Sequence, residues 1–370
     1  MAIEGFATVE GTTRYRDRMI AEQVACPEHF REALGGLALS SVGLGTYLGG
    51  SDAQTDALYL AAIKQAVASG CNVLDTAINY RCQRSERVIG QALTEMIRDE
   101  TCRRDEVIVA TKGGFLPYDG EPPRDPYAYL QQAFVMPGVI QTTDIVAECH
   151  CMTPHYLRHQ LDASLANLRL SCVDIYYLHN PETQLDEVPR EQFMAHMRAA
   201  FEMLEEAVAR GKIRVYGTAT WTGYRVTPGS RGHLSLEALV RLAQEIGGPR
   251  HHFKVIQLPY NLGMPEALTQ QTQTLNGARV SLLEAAEDLD LYVMCSASVL
   301  QGRLTRGLPS DVTEIIGDGT NAQRAIQFVR STPGLGTALV GMKRAEHVRE
   351  DLAVARHPPV PPVRFAKLFA

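Results

Sequence analysis

Short runs of consecutive apolar residues alternate along this chain with longer stretches whose apolar positions recur every three or four residues, the spacing of one face of a helix. The run SSVGLG is followed by helical spacing over residues 52–69, with Gly70 as its stop. CNVLDTA is followed by SERVIGQALTEMIR, and EVIVATK, after a long interval, by TPHYLRHQLDASLANL with a Thr-Pro start. VDIYYLH precedes REQFMAHMRAAFEMLEEAVARG, and KIRVYGTAT precedes LSLEALVRLAQEIGG. FKVIQLPY, LYVMCSAS and GTALVG complete the set, with helices expected over residues 279–288, 321–331 and 344–355.

The strands read as continuous apolar runs, which predicts burial on both faces as in a parallel sheet. Eight such units in one chain predict an α/β fold of the (β/α)8 TIM-barrel type. A doubly wound dinucleotide domain would need a third glycine in its first turn, and Gly43-Leu44-Gly45-Thr46-Tyr47-Leu48 lacks it at that spacing. Residues 1–36 are polar, without a sustained period, and read as an N-terminal extension packed on the body or partly disordered. The barrel is expected over 37–357, with an inserted loop at 113–152 after the third strand, and a C-terminal tail over 358–370. That insertion is long for a barrel connection and carries Phe115, Tyr118, Tyr127, Tyr129 and Phe134, so a lid and a subunit contact stand as equal readings.

Composition narrows the partners. A net charge of −6 gives no basic footprint and argues against nucleic acid. No apolar run is long enough for a membrane span, and the first residues lack a secretory pattern, so a cytoplasmic chain with no membrane partner is expected. The eight cysteines are scattered and read as reduced thiols. Cys149, Cys151, His155 and His159 do not have the spacing of a usual zinc knuckle, and no metal is expected.

In a barrel, chemistry collects where strands end. Those ends carry Asp75, Lys112 and His179, and Tyr80 lies on the loop after Asp75. Taken singly, each has a structural reading: a helix-capping aspartate, a solvated lysine, a packed tyrosine, a core histidine. Together they make a device. An ammonium near a phenol favours the phenolate, a carboxylate fixes the ammonium, and the imidazole orients a carbonyl oxygen.

The segments DTAINY with SERVIGQAL, ATKGG, YLHNP and GTY resemble, in order and position, the motifs of the aldo-keto reductases over residues 38–355. The resemblance implies a barrel that binds NADP(H) and a small-molecule carbonyl substrate, reduced by hydride transfer to an alcohol. It assigns Tyr80 as general acid, Lys112 and Asp75 as its tuners, and His179 as the group orienting the carbonyl. It also implies cofactor contacts from Gly45, Thr46, Asp75, Gln257 and Ser296. The last unit, VGMKRAEHVRED, adds Lys343, Arg344, His347, Glu350 and Asp351 for the adenine and 2′-phosphate, with the cations favouring NADP(H) and NAD(H) as second choice.

Two positions depart from the family pattern. Ala219 and Thr220 stand where Ser-Asn is expected, and Ser296 where an aromatic ring would stack on the nicotinamide. They motivate an alternative: an NADPH-binding regulatory or vestigial-activity protein on the same barrel. A Schiff-base aldolase using Lys112 is a third reading. The sequence leaves the carbonyl substrate, the reaction direction and a homo-oligomeric state open.

Overall fold

The computed structural model describes residues 2–369; Met1 and Ala370, at the ends of the expected extension and tail, lie outside the described residues. Eight parallel strands close a barrel: β3 (Val42–Gly45), β4 (Val73–Asp75), β5 (Ile108–Gly113), β6 (Val173–His179), β7 (Ile213–Ala219), β8 (Phe253–Pro259), β11 (Tyr292–Ser296) and β12 (Thr337–Gly341). Two antiparallel hairpins stand outside it, β1 (Phe30–Ala33) with β2 (Leu37–Ser40) and β9 (Gln273–Leu275) with β10 (Ala278–Val280). Every residue of β5 and β6 is buried, as continuous apolar runs require when helices cover one face and barrel interior the other.

The chain's helices are α1 (Val9–Ala21), α2 (Ala53–Ala68), α3 (Arg84–Arg98), α4 (Pro126–Leu130), α5 (Pro154–Leu168), α6 (Arg190–Ala209), α7 (Leu236–Gly247), α8 (Glu266–Thr269), α9 (Leu282–Asp288), α10 (Ser310–Ile316), α11 (Asn321–Ser331), α12 (Ala345–Leu352) and α13 (Pro362–Phe365). Two apolar cores follow from strand alternation. Val73, Ile108, Ile175, Val255, Met294 and Leu339 fill the barrel interior. Leu74, Val109, Tyr176 and Ile256 pack outward against helix residues such as Ile89, Leu161 and Phe201.

The N-terminal segment packs against the barrel. Thr8 caps α1 by accepting from Gly11 N–H at 3.0 Å, and the Tyr15 hydroxyl donates to Val67 O at 2.6 Å. Ala7 and Leu39 join the barrel-interior core, so this segment plugs the barrel floor, and the division at residue 36 cuts the β1–β2 hairpin in its turn. The pattern was unreadable because short elements, each burying one face, leave no sustained period. The helix expected over 279–288 also shortens: Arg279 belongs to β10, and Ser281 with Glu284 forms the capping box that opens α9. In the tail, Phe365 is buried against Phe328 at 5.3 Å between ring centres.

Candidate functional site

The stretch after β4 is fixed from several sides. Ser85 Oγ donates to Thr46 O at 2.8 Å, and Thr46 Oγ1 donates to Asp75 O at 3.1 Å, joining the first two strand ends. Arg81, Cys82 and Gln83 all have left-handed φ, at 50°, 55° and 68°. For side-chain-bearing residues that costs about 1–2 kcal/mol each. The turn is held by Arg81 Nε donating to Gly50 O at 2.8 Å and by Gly120 N–H donating to Cys82 O at 2.9 Å. It fixes the end of the loop that carries Tyr80.

Asp75 and Lys112 meet on adjacent strands. Lys112 Nζ donates to Asp75 Oδ2 at 2.7 Å and to Thr76 O at 2.8 Å, and Gln257 Nε2 donates to Asp75 Oδ1 at 2.8 Å. The lysine is fully buried, which lowers its pKa against the opposing pull of Asp75. Its ammonium lies 4.9 Å from the Tyr80 ring centre, and the Tyr80 ring meets His179 edge to face at 5.7 Å. Tyr80 is half-buried; desolvation, then the charge of Asp75, push its phenol well above the ordinary range. This corrects the sequence expectation of a phenol lowered by lysine: the burial cost of a phenolate outweighs the ammonium. Burial, then Lys112, hold His179 well below its usual value, so its imidazole is neutral, and its Nδ1 has no partner in the protein.

His179 is positioned from behind. His150 Nε2 contacts His179 O at 2.7 Å, which makes Nε2 the donor and leaves Nδ1 to accept from Gln184 Nε2 at 3.0 Å. Phe115 stands edge to face with both histidines at 5.0 Å. Gly114 permits this approach: its φ is +138°, and a Cβ there would come within 2.7 Å of His150 Nε2.

Tyr80 and His179 open into a cavity of about 860 Å³. Gly45, Thr46, Asp75, Gln257, Ser296, Lys343, His347, Glu350 and Asp351, all named from the sequence, line it. Lys112 lies behind that lining, and Arg344 is exposed outside it. At the departures, Ala219 and Thr220 both line the cavity, and the buried Thr220 Oγ1 has no partner. Of the five aromatic residues in the insertion only Phe115 lines the cavity; Phe134 instead packs with Ile140, Cys151 and Tyr156 in a small core of its own. Among the described residues no three His, Cys, Asp or Glu side chains gather as metal ligands, and Cys151 Sγ pairs with Thr153.

Residues unmarked in the sequence also belong here. Asn79, Asn180, Trp221 and the residues Thr320 and Asn321 at the start of α11 line the cavity, and so does Tyr47, which the GTY strand end already marked. Each adjoins a strand end or a helix cap, a position legible in principle. Glu182 does not line it, and its Oε1 accepts from the Trp221 N–H at 2.8 Å.

Comparison with known proteins follows the same lines. The chain is 29% identical over 201 residues to a 6-dehydroglucose reductase of Novosphingobium aromaticivorans, covering 53% of each chain. It is 29% identical over 188 residues to an NADH-specific methylglyoxal reductase of Escherichia coli, covering 50% of this chain and 49% of that one. The match thus spans about half the length of these curated relatives. A Klebsiella pneumoniae aldo/keto reductase, solved with NADP and acetate, superposes with a TM-score of 0.60 at 22% identity, over 92% of this chain and 94% of that one. A sequence model described as the aldo/keto reductase family matches residues 41–227, half of the chain and the part that carries Asp75, Tyr80, Lys112 and His179, and the chain belongs to that family.

Proposed function

We propose that this chain is an NADP(H)-dependent oxidoreductase that reduces an aldehyde or ketone to an alcohol, with Tyr80 delivering the proton. The observation that carries it is the Tyr80 phenol beside a neutral His179 at the mouth of a large cavity, backed by a buried Lys112–Asp75 pair.

The residues present fit the cofactor. The unpartnered Thr220 hydroxyl sits at the nicotinamide end, where a carboxamide would satisfy it. At the other end Lys343 offers a cation and His347 a ring N–H, and Glu350 and Asp351 offer acceptors for adenine and ribose. Thr46, Gln257 and Ser296 lie between these ends. The Klebsiella relative was solved with NADP, whereas the Escherichia coli relative is NADH-specific, and Lys343 favours the phosphorylated cofactor here.

When bound, the nicotinamide supplies the hydride. Tyr80 holds its proton, so it donates to the oxygen that gains negative charge as the carbonyl is reduced. His179, neutral, donates an N–H to the same oxygen and orients it. Lys112 keeps a fixed positive charge behind Tyr80, and Asp75 holds that lysine in place. With both hydrogen bonds committed and no surface exposed, Lys112 has no open face for an imine, which disfavours the aldolase reading.

The test is turnover of a panel of aldehydes and ketones by the purified chain with NADPH and with NADH. Reduction that prefers NADPH and collapses in Tyr80→Phe is expected. Equal turnover by Tyr80→Phe would overturn the role of Tyr80, and tight NADPH binding without any turnover would favour the regulatory alternative.

A further inference from the structure

The wall of the cavity beyond Tyr80 and His179 is built on one buried carboxylate. Glu182 follows β6 and is 6% exposed. Its Oε1 accepts from three successive backbone N–H groups, Trp221 at 2.8 Å, Thr222 at 2.9 Å and Gly223 at 3.2 Å. On the other side Arg225, paired with Glu266 at 2.7 Å, donates to Trp221 O at 3.3 Å. The backbone of Trp221 is therefore pinned at both its N–H and its C=O. Its side chain remains 46% exposed and lines the cavity, the arrangement of a surface kept for a ligand rather than for the core.

The charges in the cavity divide unevenly. Among the described residues lining it, the single Lys or Arg side chain is Lys343, in the segment after β12. Near the reacting end, Lys112 is committed to Asp75, and Arg225 to Glu266. A carboxylate on the substrate there would lose water and meet no counter-charge. The buried Asn79 Oδ1, beside Tyr80 in the chain, lacks a partner and accepts only, so it calls for a hydroxyl donor. Asn180, beside His179, also lines this region.

We propose that Trp221, positioned by Glu182, is the wall against which the substrate lies, and that the substrate is a neutral, hydroxyl-bearing carbonyl compound rather than a keto acid. This rests on the reductase reading for its chemistry, though the recognition itself is readable without turnover. An aromatic face takes the C–H side of such a molecule while its hydroxyls turn to the asparagines. Glu182 touches no substrate and acts through the loop.

Trp221 is the single tryptophan of the chain, so tryptophan emission reports this wall alone. The experiment measures kcat/KM with NADPH for D-glyceraldehyde, propanal and glyoxylate, and Trp221 emission of the NADP-loaded enzyme titrated with xylitol and with D-xylonate. D-glyceraldehyde is expected to exceed both other carbonyls by about tenfold or more, and xylitol to change the emission where xylonate does not. Trp221→Ala should raise KM for D-glyceraldehyde about tenfold, more than it raises KM for propanal, while kcat falls by less than KM rises. Glu182→Leu should reproduce that KM rise, and Glu182→Gln, which keeps an acceptor oxygen, should restore the wild-type value. Glyoxylate reduced as well as D-glyceraldehyde, or an equal loss on all three carbonyls in Trp221→Ala, overturns the proposal. If Glu182→Leu fails to fold, Trp221→Ala and the emission titration still decide. If no carbonyl is reduced, the reductase reading falls, and the titration decides this proposal alone: a response selective for xylitol upholds it, and an equal response or none overturns it.

Discussion

The ammonium of Lys112 lies 4.9 Å from the centre of the Tyr80 ring, and its hydrogen bonds go to Asp75 Oδ2 and Thr76 O. That ammonium is paired with Asp75, so its pull on a phenolate is largely offset by the carboxylate. Desolvation and the carboxylate of Asp75 both oppose ionisation of Tyr80. The phenol therefore keeps its proton, the state that the proposed carbonyl reduction calls for.

This sets the pH dependence. Because Tyr80 is raised, it stays protonated across neutral and mildly alkaline pH, and kcat/KM for reduction should show no alkaline limb assignable to Tyr80 below about pH 10, the ordinary phenol range. Tyr80→Phe should lower kcat by roughly 10²- to 10⁴-fold. A limb near pH 8 that disappears in Tyr80→Phe would show that the ammonium dominates after all.

The Lys112–Asp75 pair predicts a stability effect separable from catalysis. Lys112→Met strands a buried carboxylate that keeps only Gln257, and should cost about 3–5 kcal/mol in urea denaturation. Replacing both charges, Lys112→Met with Asp75→Leu, should recover most of that stability while leaving reduction impaired. Recovery of activity along with stability would reduce the pair to a structural element.

The barrel was legible because each strand is buried on both faces and each helix on one, two patterns that sequence spacing records directly. Asp75, Lys112, His179 and Tyr80 were legible because chemistry sits at strand ends and on the loops that follow. The sign of the Tyr80 shift was not, since it depends on how much water the phenol loses, which no spacing reports. Nor were Glu182 and Trp221, whose link spans two loops 39 residues apart in sequence and is made through backbone N–H groups common to every residue type. His150 was not singled out either; its contact with His179 O depends on Gly114 bringing the insertion back across β6.

At the far end of the cavity, burial and the neighbouring Glu350 raise Asp351 to about 7. Below that pH it is neutral, and above it a second negative charge stands beside Glu350. Binding of an anionic dinucleotide should therefore weaken as pH rises through 7, by roughly two- to fivefold at physiological salt. Fluorescence titration with NADPH at pH 6 and pH 8 measures it, and Asp351→Asn should flatten the difference. The same slope in Asp351→Asn would assign the effect elsewhere in the site.

Two of the histidines buried as neutral rings, His29 and His150, contribute to the acid limit of the fold. His29, whose Nε2 and Nδ1 meet Gly70 O and Ser41 Oγ at 3.0 Å each, is lowered to about 3 by burial, then by Arg330; His150 is lowered to about 4 by burial. The unfolded chain protonates both near the ordinary value of about 6.5, whereas the folded chain does not until far lower pH. Stability is therefore fully present above about 6.5 and falls with pH, by about 1.4 kcal/mol per unit for each ring, down to about pH 4 for His150 and about pH 3 for His29. Urea midpoints at pH 7 and pH 5 should show that loss, and in His29→Gln or His150→Gln the loss should be smaller by about 2 kcal/mol, since one proton uptake is removed. Carboxylate contributions cancel in that comparison, so an unchanged loss in both variants would mean that the folded rings already take up protons by pH 5.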